Sequence, residues 1–114
     1  MSHIEQDQDD KRARLAAGLD EYALGCERER ILAGGRGLAE TAFARQVSMY
    51  LVHAGFGLSL ARVAAAFRRD RSTVAHACHQ IEDRRDDPEF DAWIERLESI
   101  LIEIAADADQ RAAS

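Results

Sequence analysis

Apolar residues in this chain recur three and four positions apart, and no stretch alternates in the manner of a strand. Leu60, Val63, Ala64 and Phe67 fall at i, i+3, i+4 and i+7, and Val74, Ala77, Cys78 and Ile81 repeat that spacing. This is the stripe that a helix buries on one side. Pro88 is the only proline, and glycine clusters at 34–37 and 55–57. A chain patterned and punctuated this way folds as an all-α domain. Its 114 residues suffice for one small domain, or a domain with a helical extension. A chain of this size buries somewhat over ~60% of its unfolded surface, enough for one modest core.

The spacings predict about five helices, with a long one at each end. Residues 1–10 are polar and acidic and are expected to be frayed or disordered. A first helix over 11–32 would bury Leu15, Leu19, Tyr22 and Cys26, and Gly34, Gly35 and Gly37 would end it. Residues 11–37 thus form an N-terminal helix with a glycine-rich connection. A second helix over 38–54 carries Phe43, Val47, Tyr50, Leu51 and Ala54 on one face. Ser59 suits the N-cap of a short third helix ending at Phe67. A fourth begins near Asp70 or Ser72, both good caps, and runs to about residue 84. Asp87-Pro88-Glu89 combines a cap, a first-turn proline and an acid at the positive helix end. It starts a last helix over 88–108 presenting Trp93, Leu97, Ile100, Leu101 and Ile104. Residues 109–114 are expected to be a tail.

Net charge is −6, which by itself argues against a phosphate-rich partner. The total conceals segregation. Residues 1–27 hold three cations against seven acids, 28–79 hold eight arginines against three acids, and 80–114 hold four arginines against eleven acids. The segments are therefore −4, +5 and −7. The basic middle coincides with the two short helices. No apolar run reaches membrane-spanning length and the start lacks a signal-peptide pattern, so the reading is cytoplasmic, with no membrane partner. Cys26 and Cys78 fit free thiols in a reducing compartment.

Helices 59–67 and 71–84, joined by a turn of three or four residues, describe a helix-turn-helix. With Val74, Ala77, Cys78 and Ile81 in the core, Ser72, Thr73, Ala75, His76 and His79 lie on outer or flanking faces. Arg68, Arg69, Asp70 and Arg71 surround the N-terminal end of the second helix. Such an end offers donors to phosphates and to base edges in a major groove. Arg71 suits a guanine, Asp70 the N4 amine of cytosine, and Thr73 or Ala75 a thymine methyl. The pattern alone equally fits a helical hairpin with a solvated basic turn.

The run Ala44-Arg45-Gln46-Val47-Ser48-Met49-Tyr50-Leu51, then Leu58-Ser59-Leu60, Ala66-Phe67 and Asp70-Arg71-Ser72-Thr73-Val74-Ala75-His76-Ala77-Cys78 resembles the C-terminal DNA-binding domain, domain IV, of the bacterial replication initiator DnaA. The likeness covers roughly residues 30–98. It implies a Trp-repressor-like helical fold over 38–108 containing a helix-turn-helix. It implies that Asp70, Arg71, Ser72 and Thr73 contact bases and phosphates, with His76 one turn on. Ser59, Leu60 and Ala61 would begin the scaffold helix, and Arg45 would close the family's basic loop. That loop, expected near 34–45, reads GGRGLAETAFAR, with only Arg36 and Arg45 as cations and Glu40 added. Arg71 stands where the family usually has histidine, and Ser72 replaces a second threonine. Arg62, Arg68 and Arg69 join the list of phosphate contacts on charge and position. Four or five such contacts would give a log–log salt slope of roughly −4.

Other patterns yield no chemistry. No G-x-x-x-x-G-K-[ST] loop exists, so no ATPase is implied. Ser59, Ser72 and Thr73 near His76 read as caps rather than nucleophiles. His76, His79 and Asp83 lack a fourth group for a metal. Arg84 and Arg85 among acids read as solvated surface pairs. The expectation is therefore a DNA-binding regulator of replication or transcription, in the nucleoid, without enzymatic activity, cofactor or metal. Its partner is double-stranded DNA. The alternative is a degenerate domain of the same kind that serves as a protein-interaction module. Ile94 and Ile102 widen the apolar arc of the last helix, leaving two readings: cover by the first helix, or a homodimer or partner surface on the terminal helices.

Overall fold

The computed structural model describes residues 2–33 and 39–113. These form six α-helices: α1 (His3–Leu24), α2 (Arg28–Leu32), α3 (Ala39–Phe56), α4 (Leu60–Phe67), α5 (Arg71–Arg84) and α6 (Pro88–Ala113). Gly34, Gly35, Arg36, Gly37 and Leu38, which include the centre of the expected basic loop, lie outside the described residues.

Helix α3 is the axis of the core. Val47 to Val52 are all buried, as befits a helix enclosed on all sides. Around it pack Val63 and Phe67 of α4, Val74 and Ile81 of α5, and Ile94, Leu97 and Leu101 of α6. The boundaries of α4 and α5 match the sequence reading. Ser59 caps α4 and accepts the Arg62 N–H at 3.2 Å.

The N-terminal segment departs from expectation. Residues 3–10 are helical, not frayed. Ser2 caps α1, accepting from the Glu5 N–H at 3.1 Å, and Asp9 is wholly buried. The expected helix 11–32 is two helices. Gly25 takes φ 69° and closes α1 with its N–H on the Glu21 carbonyl at 2.9 Å. A side chain in that left-handed backbone costs roughly 1 kcal/mol, so glycine ends the helix here. The Glu21 carboxylate then accepts the Arg28 N–H at 2.8 Å, at the start of α2.

Helix α1 also buries a different face. Asp9, Ala13, Ala16, Ala17 and Asp20 point inward; Leu15 and Leu19 are half-buried and Tyr22 is 91% exposed. Small residues let α1 approach α3 and α4 closely, so the short side chains, not the large ones, mark its contact face. Helix α6 buries Ile94, Leu97, Leu101 and Ala105, leaving Ile100 and Ile104 more than a third exposed. It continues to Ala113, through most of the expected tail.

Arg84 and Arg85 are not merely solvated. The Arg84 guanidinium lies 4.8 Å from the centroid of Phe43 and 4.3 Å from that of Phe90. Phe43 also stacks on Trp93 at 6.4 Å. Arg85, largely buried, donates to Asp91 and, at 2.9 Å, to the Tyr50 hydroxyl, which itself donates to Glu82. These bonds and charges hold the Arg85 guanidinium above the ordinary arginine value despite burial, which acts against it. Together they fasten the α5–α6 corner to α3. Both cysteines are free thiols, and burial pushes Cys78 up to about 11.

Candidate nucleic-acid interface

The turn between α4 and α5 is Arg68-Arg69-Asp70. Arg68 adopts φ 55°, ψ 49°, the left-handed conformation usually given to glycine. The Arg69 N–H bonds the Ala64 carbonyl at 3.0 Å, and the Arg68 N–H approaches that of Ala65 at 3.4 Å. This is a Schellman closure, with arginine accepting the strain of the αL position. It reverses the chain in three residues and sets α5 across α4.

Asp70 is the N-cap residue of α5, and its carbonyl accepts the Val74 N–H at 3.1 Å. Its carboxylate caps nothing. The first-turn N–H groups of a helix have no intrahelical partner, and here no Asp70 side chain covers them. Arg71, Ser72 and Thr73 form that first turn and are exposed. His76, one turn on, is exposed beside Gln80 at 3.2 Å, while Val74, Ala77, Cys78 and Ile81 anchor the opposite face. Asp70, Arg71, Ser72, Thr73 and His76 are all exposed: Ser72 and His76 lie opposite the buried stripe, and Arg71 and Thr73 flank it on either side. Ser59 is exposed at the N-cap of α4, and Leu60, its first residue, is half-buried.

The cations divide into two kinds. Arg68 and Arg71 are exposed, with no ion pair among the described residues. The others are engaged. Arg45 is only 8% exposed. Its Nε donates to the Ile31 carbonyl at 2.8 Å and its Nη2 to those of Arg30 at 3.0 Å and Ala33 at 3.3 Å. It closes the C-terminal end of α2, whose last carbonyls lack intrahelical donors. Burial, and then the charge of Arg69, push its guanidinium below the ordinary arginine value. Arg69 donates to the Ala33 carbonyl. Arg62 forks onto Asp9, Nε to Oδ2 at 3.0 Å and Nη2 to Oδ1 at 2.9 Å. The bonds to Asp9 raise the Arg62 guanidinium.

Asp9 was missed in the sequence because acidic residues at a chain start read as solvated. The stripe Asp9, Ala13, Ala16, Asp20, at intervals of four, three and four, carried the signal. Asp20 belongs to the same stripe. Its Oδ2 lies 2.6 Å from the Ser48 Oγ, which lies 2.9 Å from the Ala44 carbonyl. A hydroxyl has one proton, so Ser48 donates either to Asp20 or to the Ala44 carbonyl, and an ionised Asp20 competes with the backbone for it. Burial pushes Asp20 up to about 7, outweighing the Ser48 bond that pulls it down.

Two helices set across one another by a three-residue turn, with arginine, hydroxyls and histidine facing outward from the second, define a helix-turn-helix protein of the DNA-binding kind. Over residues 25–81, half of the chain, it matches the bacterial DnaA protein helix-turn-helix family, and it belongs to that family. The chromosomal replication initiator protein DnaA of Pseudothermotoga lettingae is 39% identical over 59 residues, covering 52% of this chain and 13% of that protein. A crystal structure of a DNA replication initiation factor superposes with a TM-score of 0.78 at 24% identity, over 90% of this chain and 32% of that one. At that identity the likeness is one of fold. The chain therefore spans about an eighth of the relative's length and a third of the neighbour's. Family membership supports DNA binding by this domain. No helix among the described residues is long and apolar enough to cross a membrane.

Proposed function

We propose that this chain binds double-stranded DNA sequence-specifically, by docking the N-terminal half of α5 in the major groove, and acts as a regulator of replication or transcription in the bacterial nucleoid without chemistry of its own. The single observation that carries the reading is the open first turn of α5. It presents Ser72 opposite a buried stripe, Arg71 and Thr73 on its flanks, and the uncommitted Asp70 carboxylate at its head. Arg71 reads a guanine, Asp70 accepts from a cytosine amine, Thr73 meets a thymine methyl, and His76 reaches a base or phosphate one turn on. Ser59 and Leu60, at the start of α4, approach the sugar–phosphate backbone. The free N–H groups at the head of α5 suit a phosphate.

Arg68 and Arg71 supply the free cations, and Arg69 adds what its bond to Ala33 leaves over. Arg45 supports the interface from inside, and Arg62 contributes only when Asp9 releases it. With Arg71 on a base, one or two phosphate contacts give a log–log salt slope of about −1 to −2, shallower than the charge count alone suggests. The test is fluorescence anisotropy on random duplexes and on duplexes carrying the initiator's binding box, with Arg71→Ala and Thr73→Ala. Each substitution should reduce the preference between duplexes. Tight, selective binding that ignores both would sink the assignment of α5.

A further inference from the structure

Helices α1 and α6 run side by side without closing over one another. Leu15 and Leu19, one turn apart on α1, face Leu97, Ile100 and Ile104 on α6 across a groove of about 700 Å³. Ile100 and Ile104 remain 41% and 37% exposed, so the described chain covers them only in part. Gly18 keeps the floor low: a β-carbon there would meet only the Arg28 side chain, at 3.7 Å. The chain holds 21 acids, yet among the described residues none lines this groove, and the charged ones that do are Arg14, Arg28 and Arg96. Glu29 serves both Arg14, at 3.0 Å, and Arg28, at 3.5 Å. Arg96 has no ion pair among the described residues. The result is an apolar trough with an arginine rim, in a segment of the molecule that is otherwise acidic.

The geometry points to a docking site on this face for an acidic amphipathic helix of a second protein. Apolar residues of two helices form a trough that a third helix can fill, with anchors at i, i+4, i+7 and i+11. Glutamate or aspartate flanking those anchors meets Arg96 directly and shares Arg14 and Arg28 with Glu29, which selects the partner by charge. The apolar floor offers nothing to a nucleic acid. The inference is independent of the DNA reading, since no residue of α4 or α5 takes part.

The test uses the full chain and a fluorescent, end-capped peptide of about 18 residues, helical by design, with leucines at the four anchor spacings and glutamates beside them. A twin carries lysine at each glutamate. Anisotropy at low salt should show the glutamate peptide binding at least about tenfold more tightly than the lysine twin. Arg96→Glu should shrink or reverse that ratio. Ile100→Asp should abolish binding of both while leaving the circular dichroism and the DNA titration unchanged. Equal binding of the two peptides, or none of either, overturns the proposal. So does a wild-type chain that sediments as a dimer and is split to monomers by Ile100→Asp, because that assigns the face to a second copy.

Discussion

Asp9, wholly buried, accepts both bonds of the Arg62 guanidinium fork, at 3.0 and 2.9 Å, across 53 positions of chain. The first turns of α1 are thereby pinned to the scaffold helix of the helix-turn-helix. The pair is asymmetric, since the Arg62 side chain keeps about a third of its surface in water while Asp9 has none. Arg62→Ala strands a buried carboxylate and should be the costlier of the two changes. Asp9→Asn leaves a guanidinium that water can reach and should cost about 1 kcal/mol. Urea unfolding of the two variants checks the order, and an Asp9→Asn variant less stable than Arg62→Ala would refute this account. Asp9→Asn should also tighten DNA binding severalfold and steepen the salt slope by about 1, because it frees a cation.

Arg68→Gly separates folding from binding. The αL position prefers glycine, so the variant should gain about 0.5–1 kcal/mol in stability, less the entropy glycine costs in the unfolded chain. It should at the same time lose DNA affinity and flatten the salt slope by about 1. Thermal melts and anisotropy on the same protein read both. A melting temperature that falls would mean the Arg68 side chain holds the turn by contacts stronger than the strain it carries.

Asp20 gives the fold a pH dependence. Its folded value of about 7 lies above the ordinary 3.8, so the native state binds more protons than the unfolded chain between those values. The contribution is fully present below about pH 4 and is lost as pH rises towards and through 7. A shift of this size corresponds to about 2–4 kcal/mol between the two limits. Asp20→Asn, whose amide can donate to Ser48 at every pH, should flatten the decline and be more stable than the parent at pH 8. Denaturant midpoints from pH 4 to 8 are the measurement; parallel curves for parent and variant would remove Asp20 as the source.

Arg71→Ala should cost about 1–3 kcal/mol at one base pair and little elsewhere, as expected of a bidentate guanine contact. A panel of single-base substitutions in the preferred site checks this. Uniform weakening across the panel would reassign Arg71 to a phosphate.

The helix-turn-helix was legible because its signals are large and local. Leu60, Val63 and Phe67, then Val74 and Ile81, are bulky residues at helical spacing, and Ser59 marks where the first helix starts. Helix α1 was not legible by the same rule. Its contact face is alanine and two buried aspartates, while Leu15, Leu19 and Tyr22, which look like a core stripe, line an open groove. Burial of Asp9 depends on Arg62 and that of Asp20 on Ser48, partners too distant in sequence for periodicity to report. The same holds for α6. Ile94 and Ala105 go inside while Ile100 and Ile104 stay out, a rotation of the helix that only its neighbours fix. Of the candidate site, the face of α5 follows from the spacing. The inward commitments of Arg45 and Arg62 do not, because a charge count cannot tell a cation facing solvent from one already bonded.

Arg45 spans three carbonyls with one planar group, and Arg62 matches both oxygens of one carboxylate. An ammonium is a point donor on a flexible stem and has neither geometry. A chain rewritten with lysine at every arginine would keep its formal charge of −6 and its long-range field. It would lose the joint that ties α2 to α3 and the fork that ties α1 to α4. Guanidinium shape, more than positive charge, is therefore what this domain requires of Arg45 and Arg62.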